Sequence, residues 1–385
     1  MLRQQNNMKK ICFVSGSSPT FLGGISIYQK NLIGYARKNE LKFDFTWIYP
    51  GIKDRKYSLK GIKYIEVKSF KYPIFKEFNF SKKVKKILTE GEFDIINTHA
   101  NWGHCLKKYS KKNKQRITHT YHGVTFPYMK IQFEKFGFLR YLFYFTLPFF
   151  YFIEKPPIQK ADKIICVSEK VKEQIELLYG KRKNIFVIRS GVDLPMFGKI
   201  SQQKSKKDLK LDQKKIYGLY SGRGGYWNKG LDRAVSLSKA IYEINKNFRL
   251  IVTGANKEKC KKYLNLPFID HRGLIKRSEI SKYYSSCDFF FFLSRYEGGA
   301  PALAAGEAMA SKCFIIFSKD SNQEIIQNKK EGLIIDSFDN KNAGKILKII
   351  NNQKILKSIK KNAGKKINKF DLNSWGQKYL EVLLK

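Results

Sequence analysis

Short apolar runs alternate with helical patterns along all 385 residues, and few folds accept that alternation. It is the signature of repeated strand-helix units wound into a mostly parallel sheet. In the first half the expected strands are Lys10–Ser15, Phe43–Tyr49, Asp94–Thr98, Ile117–Tyr121, Ile164–Val167 and Ile185–Arg189. In the second they are Ile216–Ser221, Arg249–Thr253, Phe268–His271, Phe289–Leu293, Phe314–Phe317 and Gly332–Ile335. Each half thus holds about six strands, enough for one doubly wound sheet, and the chain is long enough for two domains with separate cores. Between them, Pro195 to Lys215 is polar, charged and without hydrophobic period, which reads as a linker or a helix-poor entry to the second domain. The expected domains are 1–195 and 196–365, two Rossmann-like α/β units facing a cleft.

Charge narrows the partners without choosing one. Against 75 Lys and Arg stand 32 Asp and Glu, a formal net charge of +43. Such a field attracts nucleic acid, anionic headgroups or phosphorylated sugars alike. The cations are spread along the chain, with no zinc-finger spacing, RNA-recognition signature or basic zipper, so nucleic acid is the weaker partner. An anionic membrane face fits as well as a Lys-rich composition does. The six cysteines lie far apart with no CxxC pair, which suits buried free thiols in a reducing compartment. The opening MLRQQNNMKKICFVSG has too short an apolar core for a signal peptide, and Met8 is a plausible alternative start; the expected location is cytoplasmic. The stretch 136–153, FGFLRYLFYFTLPFFYFI, is interrupted by Arg140 and Pro148 and falls short of the roughly 20 apolar residues of a spanning helix. Two readings stay open for it, a buried or interdomain helix and an aromatic helix lying in a bilayer interface.

Candidate chemistry gathers where strands end. In DFFFFLSRYEGGAPALAAGEAMA, residues 288–310, a strand enters a Gly-rich turn carrying Glu297, and an Ala-rich helix carrying Glu307 follows. Open α/β sheets bind ligands at the carboxyl ends of their strands, and a carboxylate there can accept two hydroxyl hydrogen bonds from a sugar diol. The alternative is an ordinary strand-turn-helix with solvated glutamates. Gly23-Gly24 stand before an amphipathic helix, where free N–H groups favour an anion, but full GxGxxG spacing is missing and a nicotinamide fold is unsupported. After strand 216–221 comes Gly222-Arg-Gly-Gly-Tyr-Trp-Asn-Lys-Gly230. Arg223 and Lys229 on this loop suit a departing pyrophosphate, while Leu231 after Gly230 excludes a P-loop; a solvated turn is the competing reading. His99 and His122 close two strands of the first domain, where each could donate to an oxygen, shuttle a proton or simply be structural. No histidine spacing builds a metal site and there is no Asp-x-Asp, so no metal is expected.

Taken in order, these pieces resemble the retaining glycosyltransferases of family 4, with GT-B architecture, over nearly the full length. The resemblance is carried by Gly-Gly before the first helix, strand Asp94–His99, His122-Gly123, ADKIICVSEKV at 161–171, RSGVD at 189–193, Gly222-Arg223 with Lys229-Gly230, and EAMAS at 307–311. It implies a nucleotide diphosphate sugar donor and no cofactor, while the basic charge and the aromatic 136–153 segment point to a glycan or lipid-linked acceptor of bacterial cell-surface polysaccharide synthesis. Arg223 and Lys229 would match the pair on the donor diphosphate, Glu297 the acid near the donor sugar and Glu307 the acid on the ribose. Gly23 and Gly24 would approach the phosphates, His122 would face the donor sugar, and His99, Gly222, Gly298 and Gly299 would line the donor. Residues 366–385 resemble the closing helix that crosses back to the first domain. The family's acids usually stand eight positions apart and here stand ten, so the Gly298–Pro301 turn is expected to absorb two residues, or the helix to begin early at Pro301. Ser190 stands where the family usually has Asn. A sugar-nucleotide epimerase or phosphorylase on the same architecture is the alternative activity, and peripheral contact with an anionic membrane is compatible with both.

Overall fold

The computed structural model describes residues 8–21, 23–70, 75–222, 226–255 and 257–385. These divide into two compact units, Met1–Arg189 with Asn373–Lys385, and Ser190–Leu372.

The first unit is built on β1 (Lys9–Val14), β2 (Phe43–Gly51), β3 (Arg55–Leu59), β4 (Ile62–Lys68), β5 (Ile95–His99), β6 (Arg116–Tyr121), β7 (Lys163–Cys166) and β8 (Ile185–Val187). Their order is β3-β4-β2-β1-β5-β6-β7-β8, parallel throughout except where β3 runs antiparallel to β4. β1 is central because Ile11, Cys12, Phe13 and Val14 are apolar on both faces, and all four are fully buried. Its helices are α1 (Gly24–Lys38), α2 (Phe75–Glu90), α3 (Thr125–Glu134), α4 (Arg140–Tyr144), α5 (Leu147–Lys160) and α6 (Glu169–Tyr179). The hairpin β3-β4 adds to the six strands expected. Its signal is the Lys60-Gly61 turn, both residues at positive φ (50° and 66°), flanked by alternating rather than continuous apolar residues.

The second unit carries β9 (Ile216–Ser221), β10 (Phe248–Thr253), β11 (Ile269–Gly273), β12 (Phe289–Phe292), β13 (Phe314–Ser318) and β14 (Leu333–Ile335). They pair in parallel in the order β11-β10-β9-β12-β13-β14. The four phenylalanines of β12 show why the sheet needs cover on both faces. Phe289 and Phe291 enter one apolar core, while Phe290 and Phe292 enter the other. The covering helices are α7 (Gln202–Asp208), α8 (Leu231–Ile244), α9 (Lys257–Leu264), α10 (Ile280–Ser286), α11 (Leu303–Ala310), α12 (Asn340–Asn351) and α13 (Gln353–Ile367).

The 195–215 stretch is not helix-poor. The Ser201 hydroxyl caps α7 by accepting from Lys204 N–H, and the buried Lys206 ammonium donates to the Lys215 carbonyl at 2.9 Å. Ser190–Pro195 lies in the second unit, where Val192 N–H donates to the Phe370 carbonyl at 2.8 Å. The last helix, α14 (Leu372–Leu384), buries Trp375, Tyr379, Leu380 and Leu383, and residues 373–385 belong to the first unit. There the Tyr379 hydroxyl donates to Asn97 Oδ1 at 2.9 Å and lies 2.6 Å from the Thr120 hydroxyl.

All six cysteines are buried and unpaired. Among the described residues, no helix is long and apolar enough to cross a membrane. The buried reading of 136–153 fails over most of its length. Phe138, Leu142, Phe145 and Phe152 are 86, 63, 78 and 60% exposed.

Candidate functional site

In the second unit the expected site residues come from two neighbouring connections, β9 to α8 and β12 to α11. Arg223, Gly224 and Gly225 lie outside the described residues; Gly222 follows directly on β9, and Tyr226 opens the turn that leads into α8. Gly230 caps α8 with φ 69°, and a Cβ there would stand 2.2 Å from the Leu293 carbonyl oxygen. Only glycine meets both demands. The close approach ties the 226–230 turn to the end of β12. Arg295 reinforces it, its guanidinium donating to both Asp232 carboxylate oxygens at 2.9 and 2.6 Å and to the Trp227 carbonyl at 2.6 Å. The same guanidinium lies 3.5 Å over the Trp227 ring.

That bracing sets Lys229 against Glu297. Lys229 Nζ and Glu297 Oε1 stand 2.5 Å apart, and Ser294 Oγ donates to the same carboxylate oxygen at 2.8 Å. The carboxylate is nearly enclosed, at 11% exposure, while the lysine is 34% exposed. A fixed cation is therefore presented to solvent from a carboxylate that cannot easily follow it. Gly298 accepts from Asn322 Nδ2 at 3.0 Å, and Gly299 follows it in the turn.

Glu307 sits in α11 with its side chain 6% exposed, paired with Arg277 Nη1 at 2.5 Å. Burial raises its pKa, and the Arg277 charge and hydrogen bonds from Arg277 and Tyr284 oppose the rise. The helix begins at Leu303, not at Pro301. Residues 298–302, about half of the interval between the acids, thus lie ahead of the helix, where two additional residues do not rotate Glu307 around it. No side chain caps the start of α11 and no acid lies in its first turn, so its leading N–H groups favour an anion.

In the first unit, Gly23 caps α1 without a side-chain hydrogen bond, the first turn holds no acid, and a Cβ on Gly24 would meet nothing within 4 Å. His99 ends β5 and His122 follows β6, and β5 pairs with β6. Their rings stack at 5.2 Å with His99 Nδ1 2.9 Å from His122 Nε2. His99 Nε2 is buried without a partner. A proton on His99 Nδ1, donated to His122, leaves that orphan as a bare acceptor rather than an N–H, the cheaper state to bury. His122 then carries its own proton on Nδ1. Burial lowers the His122 pKa to about 3, and burial with the neighbouring imidazoles lowers that of His99 well below the ordinary value. Both rings are neutral near pH 7, which suits hydrogen bonding to an oxygen and not a proton shuttle titrating at that pH. The Tyr28 ring meets His122 edge-on at 4.8 Å, and the Tyr28 hydroxyl accepts a hydrogen bond from Trp375 Nε1 at 3.3 Å.

The structure thus joins Lys229 with Glu297 and His99 with His122, and gives Glu307 a separate partner. Arg277, Tyr284 and Ser294 were missed in the sequence. Arg277 follows β11 in GLIKRSEI, so a basic residue beyond a strand's carboxyl end was its available signal. Ser294 and Tyr284 carry none, since each matters only through the acid it touches. A buried acid, Glu154 of α5, was also missed; it accepts from Thr125 N–H and hydroxyl at 2.9 and 2.8 Å.

The model of "Glycosyl transferases group 1" matches residues 201–366, and that of "Glycosyltransferase Family 4" matches residues 22–195. Among curated relatives, an uncharacterized glycosyltransferase of Methanocaldococcus jannaschii is 27% identical over 357 residues, 91% of this chain and 90% of that one. The N,N'-diacetylbacillosaminyl-diphospho-undecaprenol alpha-1,3-N-acetylgalactosaminyltransferase of Campylobacter jejuni is 27% identical over 231 residues, 58% of this chain and 60% of that one. Among solved structures, sucrose-phosphate synthase from Thermosynechococcus elongatus superposes with a TM-score of 0.81 at 18% identity, covering 97% and 98% of the two chains. WaaG, a glycosyltransferase of lipopolysaccharide biosynthesis, gives 0.76 at 15% identity over 97% and 99%. Anabaena HepE, solved with UDP-glucose, gives 0.70 at 16% over 97% and 99%. At these identities the structural likeness establishes GT-B architecture with two Rossmann-like domains.

Proposed function

Because the chain belongs to the family 4 and group 1 glycosyltransferases, we propose that it moves a hexose-type sugar from a nucleotide diphosphate sugar to a glycan or lipid-linked acceptor, with retention and without a metal. The acceptor belongs to cell-surface polysaccharide synthesis, of the lipopolysaccharide or capsule kind. In this reading the anomeric carbon loses its bond to the diphosphate oxygen and gains one to the acceptor oxygen on the same face. The acceptor proton passes to the departing diphosphate, so atoms and charge balance without a side-chain nucleophile. Lys229 and Arg223 stabilise that departing anion, as fixed cations do where charge develops. Glu307 accepts from the ribose hydroxyls, and neutral His122 donates to an oxygen of the sugar.

The observation that carries this reading is Lys229 held at 2.5 Å by a nearly enclosed Glu297, within the region matching the group 1 model. A diphosphate reaching Lys229 meets a pre-positioned ammonium and need not order a free side chain. Support for the acceptor comes from relatives. The Campylobacter enzyme's name specifies a diphospho-undecaprenol acceptor, and a second relative, of Escherichia coli, is named for transfer to GlcNAc-diphosphoundecaprenol. Such an acceptor would draw the enzyme to a cytoplasmic membrane face, for which the +43 charge is suited. The test is nucleoside diphosphate release from a panel of nucleotide sugars by the native chain and by Lys229→Ala. Near-normal turnover in the variant would remove the charge-stabilising role.

A further inference from the structure

We propose that the outer face of residues 136–152 is a membrane-docking surface that inserts its aromatic side chains into the interface of an anionic bilayer. This deepens the reading of a lipid-linked acceptor, on which it rests, by assigning the contact to one surface.

The short helices here are apolar all round. Their inner sides form a small core of their own, in which Phe133, Leu147, Phe150 and Ile153 are buried against Phe126, Met129 and Tyr144. With that core already filled, the opposite sides remain apolar and uncovered. None of the residues of α4 is buried, and Phe138, Leu142, Phe145 and Phe152 are at least 60% exposed. A helix that is hydrophobic all round belongs in a protein core or in lipid, and this one is not in a core. With roughly 200 Å² for a full aromatic side chain, the exposed large apolar residues of 136–152 present about 1,000 Å². The largest apolar patch of an ordinary monomer is about 300–600 Å², so this face calls for a partner.

Charge decides which partner. From Phe126 to Lys160 the cations are Lys130, Lys135, Arg140, Lys155 and Lys160, against the acids Glu134 and Glu154, and Glu154 is fully buried. Lys135 and Arg140 lie over the rings of Phe136 and Tyr141 at 4.7 and 5.0 Å, so cations and aromatics share one layer. That pairing suits a headgroup region, where aromatic rings sit at the boundary and ammonium and guanidinium groups reach phosphates. A second copy of this chain would bring a second +43 to the same face. An anionic bilayer is complementary to both features.

The test is cosedimentation of the full chain with vesicles of phosphatidylcholine alone or mixed with phosphatidylglycerol. It compares the native protein, Phe138→Ser/Leu142→Ser/Phe145→Ser, and the charge reversal Lys130→Glu/Lys135→Glu. The native chain should partition onto the mixed vesicles, the triple serine variant should lose about tenfold or more of that partitioning at any salt, and the charge reversal should weaken it chiefly at low salt. Both variants alter exposed residues, and unchanged melting temperatures check their folds. Absence of native binding, or equal binding by the triple variant, overturns the proposal. Dimerisation abolished by the triple variant, with no vesicle binding, overturns it in favour of a second copy. Nucleoside diphosphate release in solution separates the two readings: vesicle binding lost in the variant but no turnover of any nucleotide sugar by the native chain sinks the transferase reading and leaves the docking surface standing.

Discussion

Replacing Lys229 by Met keeps its length and removes its charge, which isolates what the ammonium contributes. Two losses are expected. The first is structural: among the described residues Glu297, 11% exposed, then keeps only the Ser294 donor, so stability should fall by about 1–2 kcal/mol. Because Lys229 is about one-third exposed, the larger penalty of a fully enclosed broken pair does not apply. The second loss is functional. Removing one fixed donor from a developing anion costs about 2.7–4 kcal/mol of transition-state stabilisation, or roughly 10²- to 10³-fold in kcat. A cycle of Lys229→Met, Glu297→Gln and the double variant separates the two losses. Melting temperature should show a coupling of about 1–2 kcal/mol between the sites. Nucleoside diphosphate release should collapse in both variants lacking Lys229, whatever stands at 297. Turnover within about threefold of native in Lys229→Met, far short of the loss expected from one fixed donor, would refute the role assigned to the cation. Zero coupling would refute the clamp.

Three further outcomes follow from the geometry. Gly230→Ala combines a left-handed residue with a Cβ 2.2 Å from the Leu293 carbonyl, so denaturant melts should show about 2–4 kcal/mol of destabilisation. Glu307→Gln should weaken nucleotide-sugar binding about tenfold or more while changing stability by less than about 1 kcal/mol, since burial already penalises its charge; calorimetry and melting check the two halves. Buried histidines and Glu154 should shape stability against pH in opposite senses. His119, fully buried with a pKa lowered to about 3, costs stability as pH falls below 6.5, where the unfolded imidazole takes the proton, reaching about 5 kcal/mol at the limit. Glu154 keeps its proton up to about 7 in the folded chain, against 4.5 ordinarily, so stability should decline as pH rises between those values, by about 3 kcal/mol at most. Melting temperatures from pH 5 to 8 should lose that decline in Glu154→Gln.

Much of this architecture can be read from the chain because buried parallel strands are written as continuous apolar runs. FFFF at 289–292 cannot alternate, and its side chains indeed enter two cores. The β3-β4 hairpin escapes that rule. β3 is largely exposed and β4 alternates, so only Lys60-Gly61 marks the pair. α7 was hidden for the opposite reason: its seven residues are polar and show no apolar period, so its only local mark is the Ser201 cap, while the Lys206 contact with the Lys215 carbonyl forms only once the chain has turned back. Within the site, Lys229 and Glu297 were legible as types at strand ends, but their 2.5 Å contact depends on Gly230 and Arg295 bracing two loops 68 residues apart in sequence. Arg277, the counter-charge of Glu307, lies 30 positions before it on another connection, beyond any local pattern. The 136–153 segment shows the limit most plainly. Its sequence leaves a buried or interdomain helix and an interfacial one open, and only the fold shows that Phe133, Leu147, Phe150 and Ile153 pack together while Phe138 and Phe145 stay exposed.

Calorimetric titration of a nucleotide-sugar panel into the native chain, Lys229→Met and Glu307→Gln bears most directly on the central claim, that the second unit holds an activated sugar by an acid for the ribose and a clamped cation for the diphosphate. The native chain should bind at least one nucleotide diphosphate sugar, with affinity lowered about tenfold or more in each variant. Equal affinity across all three proteins, or no binding of any nucleotide sugar, would contradict it.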